Sequence, residues 1–148
     1  MTKLTRIATL LFLNLFLIGS LAHAQQVSTN IKITGIKSIK GNIVIGVFKD
    51  QVSFEKEKAF KSFIFDKKAL VNGNLNVVIK LEPGIYGITV LDDENANNKM
   101  EKNMIGIPKE GFGFSNFFLE KLKRPVFNDF KVNLINAQNK VDIKVKYM

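Results

Sequence analysis

Four oxygen-bearing side chains recur within one short stretch of the sequence: Asp93, Asn95, Asn97 and Glu101. They fall at places 1, 3, 5 and 9 of a calcium-loop spacing, and place 7 is Lys99, which contributes through its main-chain carbonyl. A hard divalent cation takes about six to eight oxygen ligands, and alternate residues of a curled loop point inward together. Asp92, Asp93, Glu94 and Glu101 set four carboxylates against Lys99 and Lys102, an acidic spot in a basic chain. Two places depart from the pattern. Asn98 stands at place 6 instead of Gly, although Asn tolerates a left-handed backbone better than most residues. Met104 stands at place 12, so the usual bidentate Glu is missing and Glu101 has to compensate. The same residues also read as an Asx-turn-rich surface loop, in which Asp93 and Asn95 bond their own backbone. Both readings of the 92–104 loop stay open at this level.

A second group follows at once. Glu110, Phe112 and Phe114 are candidate binding residues, with Phe117 and Phe118 extending the aromatic run. At strand spacing Phe112 and Phe114 share one face, and they either fill a core or form an exposed ligand patch. Sugar platforms favour Trp and Tyr, and the chain has no Trp and only 2 Tyr, which weakens a carbohydrate ligand. Glu110 beside Lys109 reads as a surface ion pair rather than a general acid. A glycosidase needs two carboxylates about 5 to 9.5 Å apart across a cleft, and nothing in the spacing assigns Glu101 and Glu110 that part. Gly106, Gly111 and Gly113 suit positive φ or close approach to another strand.

The N-terminal residues narrow the chemistry further. Lys3 and Arg6 precede an apolar run from Ile7 to Leu21, and Ala22-His23-Ala24 offers small residues at the −3 and −1 positions of a signal-peptidase site. The run is interrupted by Asn14 and is shorter than the roughly 20 residues that span a bilayer. The expectation is a cleavable signal peptide over 1–24 and a mature chain from Gln25, with no transmembrane anchor after cleavage. Removing 24 of 148 residues leaves 124, carrying 20 of the 22 basic side chains and all 13 acidic ones, a formal charge of +7. The single His leaves with the leader and there is no Cys, so Ser-His-Asp and Cys-His catalysis, thiol redox chemistry and imidazole or thiolate metal sites are excluded from the mature chain. No disulfide holds the fold, which must rest on its apolar core. The lysines are spread from Lys32 to Lys146, Lys121-Leu122-Lys123-Arg124 is the one tight cluster, and Arg124 is the sole mature arginine. That pattern points to a solvated surface and away from nucleic acid.

The elements that must position these residues show a period of two almost throughout. Ile31, Ile33 and Ile36 alternate; Ile43 to Phe48 is a denser run; Phe63 to Phe65, Leu75 to Leu81, Ile85 to Leu91, Phe130 to Leu134 and Val141 to Tyr147 complete the strands. Turns are expected at Lys40-Gly41-Asn42, at Asp66-Lys67-Lys68, at the hairpin signal Asn72-Gly73 and at Pro83-Gly84. Phe54 to Phe60 reads as a short helix or a polar connection, and residues 92–128 as a long irregular region. The fold class is all-β: an antiparallel β-sandwich of immunoglobulin-like or transthyretin-like type with about seven to eight strands over 25–148. A small closed barrel is the alternative.

The run from Pro83-Gly84-Ile85-Tyr86 through Asp93, Asn95 and Asn97 to Gly106-Ile107-Pro108-Lys109-Glu110-Gly111-Phe112-Gly113-Phe114-Ser115-Asn116 resembles the bacterial family of domain of unknown function 2141. The resemblance extends to Pro125-Val126-Phe127. It implies a small exported β-sandwich protein and brings no assigned activity. Family members carry glycines where this chain has Ala96 and Asn98, and Asp where it has Glu101. The functional expectation is an exported, non-catalytic binding or adhesion-type module of the cell envelope, periplasmic or secreted, in which calcium in the 92–104 loop braces residues 105–118. The other reading is a structural or accessory envelope protein without metal, acting through protein contacts. In either case the partner is an envelope protein or polymer.

Overall fold

Alternate burial runs along the strands as the period of two requires: in β4 (Leu75–Leu81) every odd-numbered residue is buried and every even-numbered one exposed. The computed structural model describes residues 25–148 except 122 and 136, so the expected leader lies outside the described residues. Among the described residues eight strands form two sheets. The smaller has the order β4-β1-β8, with β1 (Val27–Thr34) antiparallel to β4 and parallel to β8 (Gln138–Lys144). The larger has the order β3-β2-β5-β6, from β2 (Asn42–Phe48), β3 (Lys61–Asp66), β5 (Gly84–Asp93) and β6 (Gly111–Phe114). Strand β7 (Lys131–Leu134) also pairs with β5. Neither sheet closes on itself, so the fold is a β-sandwich and not a barrel. Among the described residues no helix is long and apolar enough to cross a membrane.

The main core lies between the sheets and is built largely from β-branched residues, among them Ile31, Ile33, Ile45, Ile88 and Ile143, each at most 1% exposed. Such side chains stiffen at χ1 and pack well on a pleated surface. The expected turns hold with one correction. Asn72 and Gly73 both take positive φ and close a minimal hairpin between Val71 and Asn74, as the dipeptide predicts. The strands on either side do not pair, because β3 and β4 belong to different sheets. The turn therefore carries the chain across the sandwich.

A second cluster sits on the outer face of the larger sheet. Two short helices cover that face: α1 (Gln51–Glu55) and α2 (Phe127–Phe130). Helix α1 starts where Asp50 accepts the Ser53 N–H at 2.7 Å, while Ser53 Oγ lies 3.3 Å from the Asp50 N–H, a capping box. This capping holds the Asp50 carboxyl below the usual carboxylate range, chiefly through the Ser53 N–H. Phe54 of α1 packs edge-on against Phe48, Phe114 and Phe130, the last at 4.8 Å between ring centroids. The middle of the larger sheet is thus covered on both faces.

Strand β5 is long enough to serve two neighbours. Thr89 to Asp92 pair with β6 and Gly84 to Gly87 with β7, which leaves Ile88 at the join. Ser115 fills the gap. Its N–H donates to the Ile88 carbonyl at 2.8 Å, its hydroxyl accepts the Ile88 N–H at 3.0 Å, and that hydroxyl donates to the Phe130 carbonyl. Asn116 continues the splice with two bonds to the Asp142 backbone, tying β6 to β8. Past Lys144 the chain leaves the smaller sheet: Val145 donates to Thr34, and Lys146 then exchanges two bonds with Phe112. Gly113 permits this approach, since a Cβ there would lie 2.6 Å from Ile143 and 2.8 Å from the Lys144 carbonyl.

Candidate functional site

The region beyond β5 is ordered by two successive turns rather than being irregular. In the first, both carboxylate oxygens of Asp93 are engaged: Oδ1 accepts the Asn97 N–H at 3.1 Å and Oδ2 the Asn98 N–H at 2.7 Å. Asn95 Oδ1 also accepts from Asn97, and Asn97 Oδ1 accepts from Lys99 at 2.8 Å. These bonds curl the chain through left-handed backbone at Ala96 (φ 59°) and Asn98 (φ 60°). The Asn97 amide then reaches Glu101 Oε1 at 3.1 Å. In the second turn residues 101–109 double back as a narrow arm. Lys109 N–H donates to the Glu101 carbonyl, Asn103 N–H to the Ile107 carbonyl, and Asn103 Oδ1 accepts from Ile105 and Ile107. Met104 stands fully in solvent at its tip, and Ile105 largely so.

The root of the first turn is buried polar structure. Asp92 and Asp93 are both inaccessible. Asp92 forms an ion pair with Lys67, whose ammonium also donates to the Ser38 carbonyl at 3.1 Å and to the Lys40 carbonyl. The Tyr147 hydroxyl donates to the other Asp92 oxygen and accepts the Lys37 N–H at 3.0 Å. Burial, then the bond to Asp92, push the Tyr147 hydroxyl well above the ordinary tyrosine range. Gly41 lies against the same root. Its φ is +69°, and a Cβ there would fall 1.9 Å from the Asp93 carbonyl oxygen and 2.7 Å from the Glu94 backbone.

Of the predicted metal residues, Asp93 is buried at the root, whereas Asn95, Asn97, Lys99 and Glu101 are exposed along the turn. The structure joins them through the Asx-type hydrogen bonds that the alternative reading foresaw. Among the described residues no three His, Cys, Asp or Glu side chains converge as a ready metal shell. Glu110 differs from its sequence reading. It is buried at 7% exposure, makes no ion pair with Lys109 among the described residues, and turns its Oε2 toward the Glu101 N–H at 3.4 Å. The reason is that β6 begins at the next residue and draws Glu110 inward. Burial raises its carboxyl above the usual range, the Glu101 N–H partly offsets this, and the charges of Asp93 and Glu101 add to the rise.

Phe112 and Phe114 are buried in the outer cluster, where Phe114 meets Phe112 at 5.8 Å and Phe130 at 5.2 Å. Phe117 packs on their edge, and Phe118 is exposed beneath the ammonium of Lys144 at 4.5 Å. The two buried rings also line a cleft of about 750 Å³ between the outer sheet face and the 98–108 arm. Thr89, Leu91 and Phe112 form its sheet side, and Met100, Ile107 and Pro108 its arm side. Sequence reasoning passed over three residues that frame it. Glu57, with positive φ, pairs with Lys102 at 2.6 Å and Arg124 at 3.8 Å, and Arg124 donates to the Phe54 carbonyl at 2.8 Å. These bonds strap the arm, through Lys102, and Arg124 to the end of α1. Their only sequence signal is the isolation of Arg124 as the sole arginine of residues 25–148.

An open two-sheet sandwich with an Asx-turned acidic loop and an apolar cleft defines a small all-β protein. The chain belongs to the bacterial family described as "Uncharacterized protein conserved in bacteria (DUF2141)", which matches residues 31–142. That span holds the loop, the arm and the splice at Ser115 together. No curated protein and no solved structure matches the chain.

Proposed function

We propose that this chain is an exported, non-catalytic binding module of the bacterial cell envelope, whose ligand site is the cleft beneath the 98–108 arm. The observation that carries the reading is the cleft itself. Its volume of about 750 Å³ lies within the range of small-ligand pockets, roughly 300–1,000 Å³, and its walls are mainly apolar. Its ligand is an apolar group carried by an envelope protein or polymer. The arm forms one wall, so whatever fixes the 93–101 turn fixes the site, and calcium in that turn is the proposed brace. The leader-like residues 1–24 support export to the periplasm or beyond.

The test uses the purified protein and the apolar probe anilinonaphthalene sulfonate, comparing wild type with Thr89→Trp, which fills the cleft. Saturable fluorescence in the folded protein, lost in the variant, is expected. Equal binding by both proteins, or none by wild type, overturns the cleft. Export is read from the N-terminal mass of the protein recovered from a bacterial host, with Gln25 expected as the first residue. The metal-free accessory reading draws on one specific observation, that both oxygens of Asp93 already hold backbone N–H groups.

A further inference from the structure

We propose that the group this cleft takes from the envelope is a single alkyl chain with an acidic head, and that Arg124 holds the head. This rests on the cleft reading above and names the chemistry of its ligand.

The tail follows from the walls. The side chains of Leu91, Phe112 and Phe114 on the sheet and of Met100, Ile107 and Pro108 on the arm offer hydrocarbon, ring and thioether surface without strong donors or acceptors. The apolar lining extends into solvent at Ile105, which is 79% exposed. A peptide or sugar lodged here would press its own polar groups against that surface, which is unfavourable unless each finds a partner. An alkyl chain brings no such group.

The head follows from the charges. The side chains lining the cleft include three cations, Lys99, Lys102 and Arg124, and one anion, Glu57. Lys102 holds Glu57 Oε1 at 2.6 Å, and the same oxygen lies 3.8 Å from Arg124, beyond hydrogen-bond reach. Lys99 makes no ion pair among the described residues. Positive charge is therefore in excess beside an apolar wall, where it attracts an anion more strongly than in open water. Arg124 is the cation built to receive that anion. Its guanidinium lies over the Phe54 ring, 4.6 Å from the centroid, and donates to the Phe54 carbonyl at 2.8 Å. Pro125, the next residue, restricts the Arg124 backbone as well. The side chain is nevertheless 49% exposed, and the Phe54 bond is its one hydrogen bond among the described residues. The remaining donors of its planar fork match the paired oxygens of a carboxylate or phosphate. A side chain already anchored at two points loses little freedom when the anion arrives.

The test is calorimetric titration of sodium decanoate, and of decyltrimethylammonium bromide with the same chain, into the purified wild type, Arg124→Gln, Arg124→Lys and Thr89→Trp. Nile red, a neutral apolar dye, reports the cleft independently of charge. Wild type is expected to bind decanoate saturably and at least about tenfold more tightly than the cationic homologue. Arg124→Gln should lose on the order of tenfold in decanoate affinity, and Arg124→Lys should recover part of it, since lysine restores the charge but not the fork. Thr89→Trp should lose both decanoate and Nile red. A melting scan checks that each variant is folded. Equal affinity of wild type for the two surfactants overturns the acidic head without recourse to any variant, and leaves the cleft standing. Decanoate binding that Arg124→Gln does not weaken overturns it too. So does sedimentation with phosphatidylglycerol vesicles in the absence of decanoate heat, because the charge then serves a membrane surface. Nile red that fails to bind wild type, or binds Thr89→Trp equally, overturns the cleft reading and this inference with it.

Discussion

Replacing Lys67 by Met should destabilise this protein more than almost any other surface-derived lysine could. The ammonium sits at a junction of four segments: it pairs with Asp92 and donates to the carbonyls of Ser38 and Lys40, while Tyr147 closes the other side of Asp92. All three of its protons are therefore used. The two side chains are 1% and 0% exposed, so solvent cannot compensate for the loss of either. Breaking a buried pair from one side costs about 3–5 kcal/mol, because the remaining charge is stranded. That is a large part of the roughly 5–15 kcal/mol that holds a domain folded. At this chain length it corresponds to a fall of roughly 10–20 °C in melting temperature. Urea unfolding followed by circular dichroism measures it directly. The companion Lys67→Met/Asp92→Leu removes both charges, and much of the loss should return, since apolar replacement of a whole buried pair is often neutral. A loss below about 1 kcal/mol in the single variant, the size of an exposed pair, would refute the reasoning. So would a double variant whose loss equals the sum of the two single ones.

Three further outcomes follow from the geometry. Ser115→Ala removes the acceptor for the Ile88 N–H and should cost about 1–3 kcal/mol in urea unfolding, against nothing measurable for the exposed Ser62→Ala. Gly41→Ala should lose clearly more stability than Gly106→Ala; both carry positive φ, worth roughly 1–2 kcal/mol of strain, but only at Gly41 does the new Cβ strike backbone. Tyr147 has a folded pKa raised above its unfolded one, so its contribution is complete below the ordinary tyrosine value and is lost as pH climbs through the folded value. Stability should therefore fall once pH passes about 10, and Tyr147→Phe should flatten that slope; an unchanged slope would count against the buried hydroxyl.

Much of the sandwich was written in periodicity, and the reasons for the exceptions are specific. Strands β1, β4 and β8 have one wet face, so polar and apolar residues alternate visibly. Strand β6 has none: all four residues of Gly111–Phe114 are buried, two glycines face the C-terminal segment and two phenylalanines face the outer cluster. With both faces covered, no period survives to be read. The parallel pairing of β1 and β8 was likewise hidden, since pairing direction leaves no local mark. At the site, the spacing of Asp93, Asn95 and Asn97 announced the turn because Asx bonding is local. Lys67 sits in an expected turn and Glu110 beside Lys109, and nothing local in the sequence marks either as buried. Their burial is decided by partners 25 positions away in one case and by the start of a strand in the other.

The way β8 is placed also bears on timing. Asn139 bonds to Ser28 across 111 positions of sequence, and β1 is the middle strand of its sheet, so that sheet lacks one flank until nearly all of the chain is present. Contacts of such long range form slowly, because the loop they close must be ordered first. A partly synthesised chain therefore holds β1 unpaired on one side, with an open row of backbone donors and acceptors. Strand β8 works as a latch, and the smaller sheet is completed only once residues 138–144 are available.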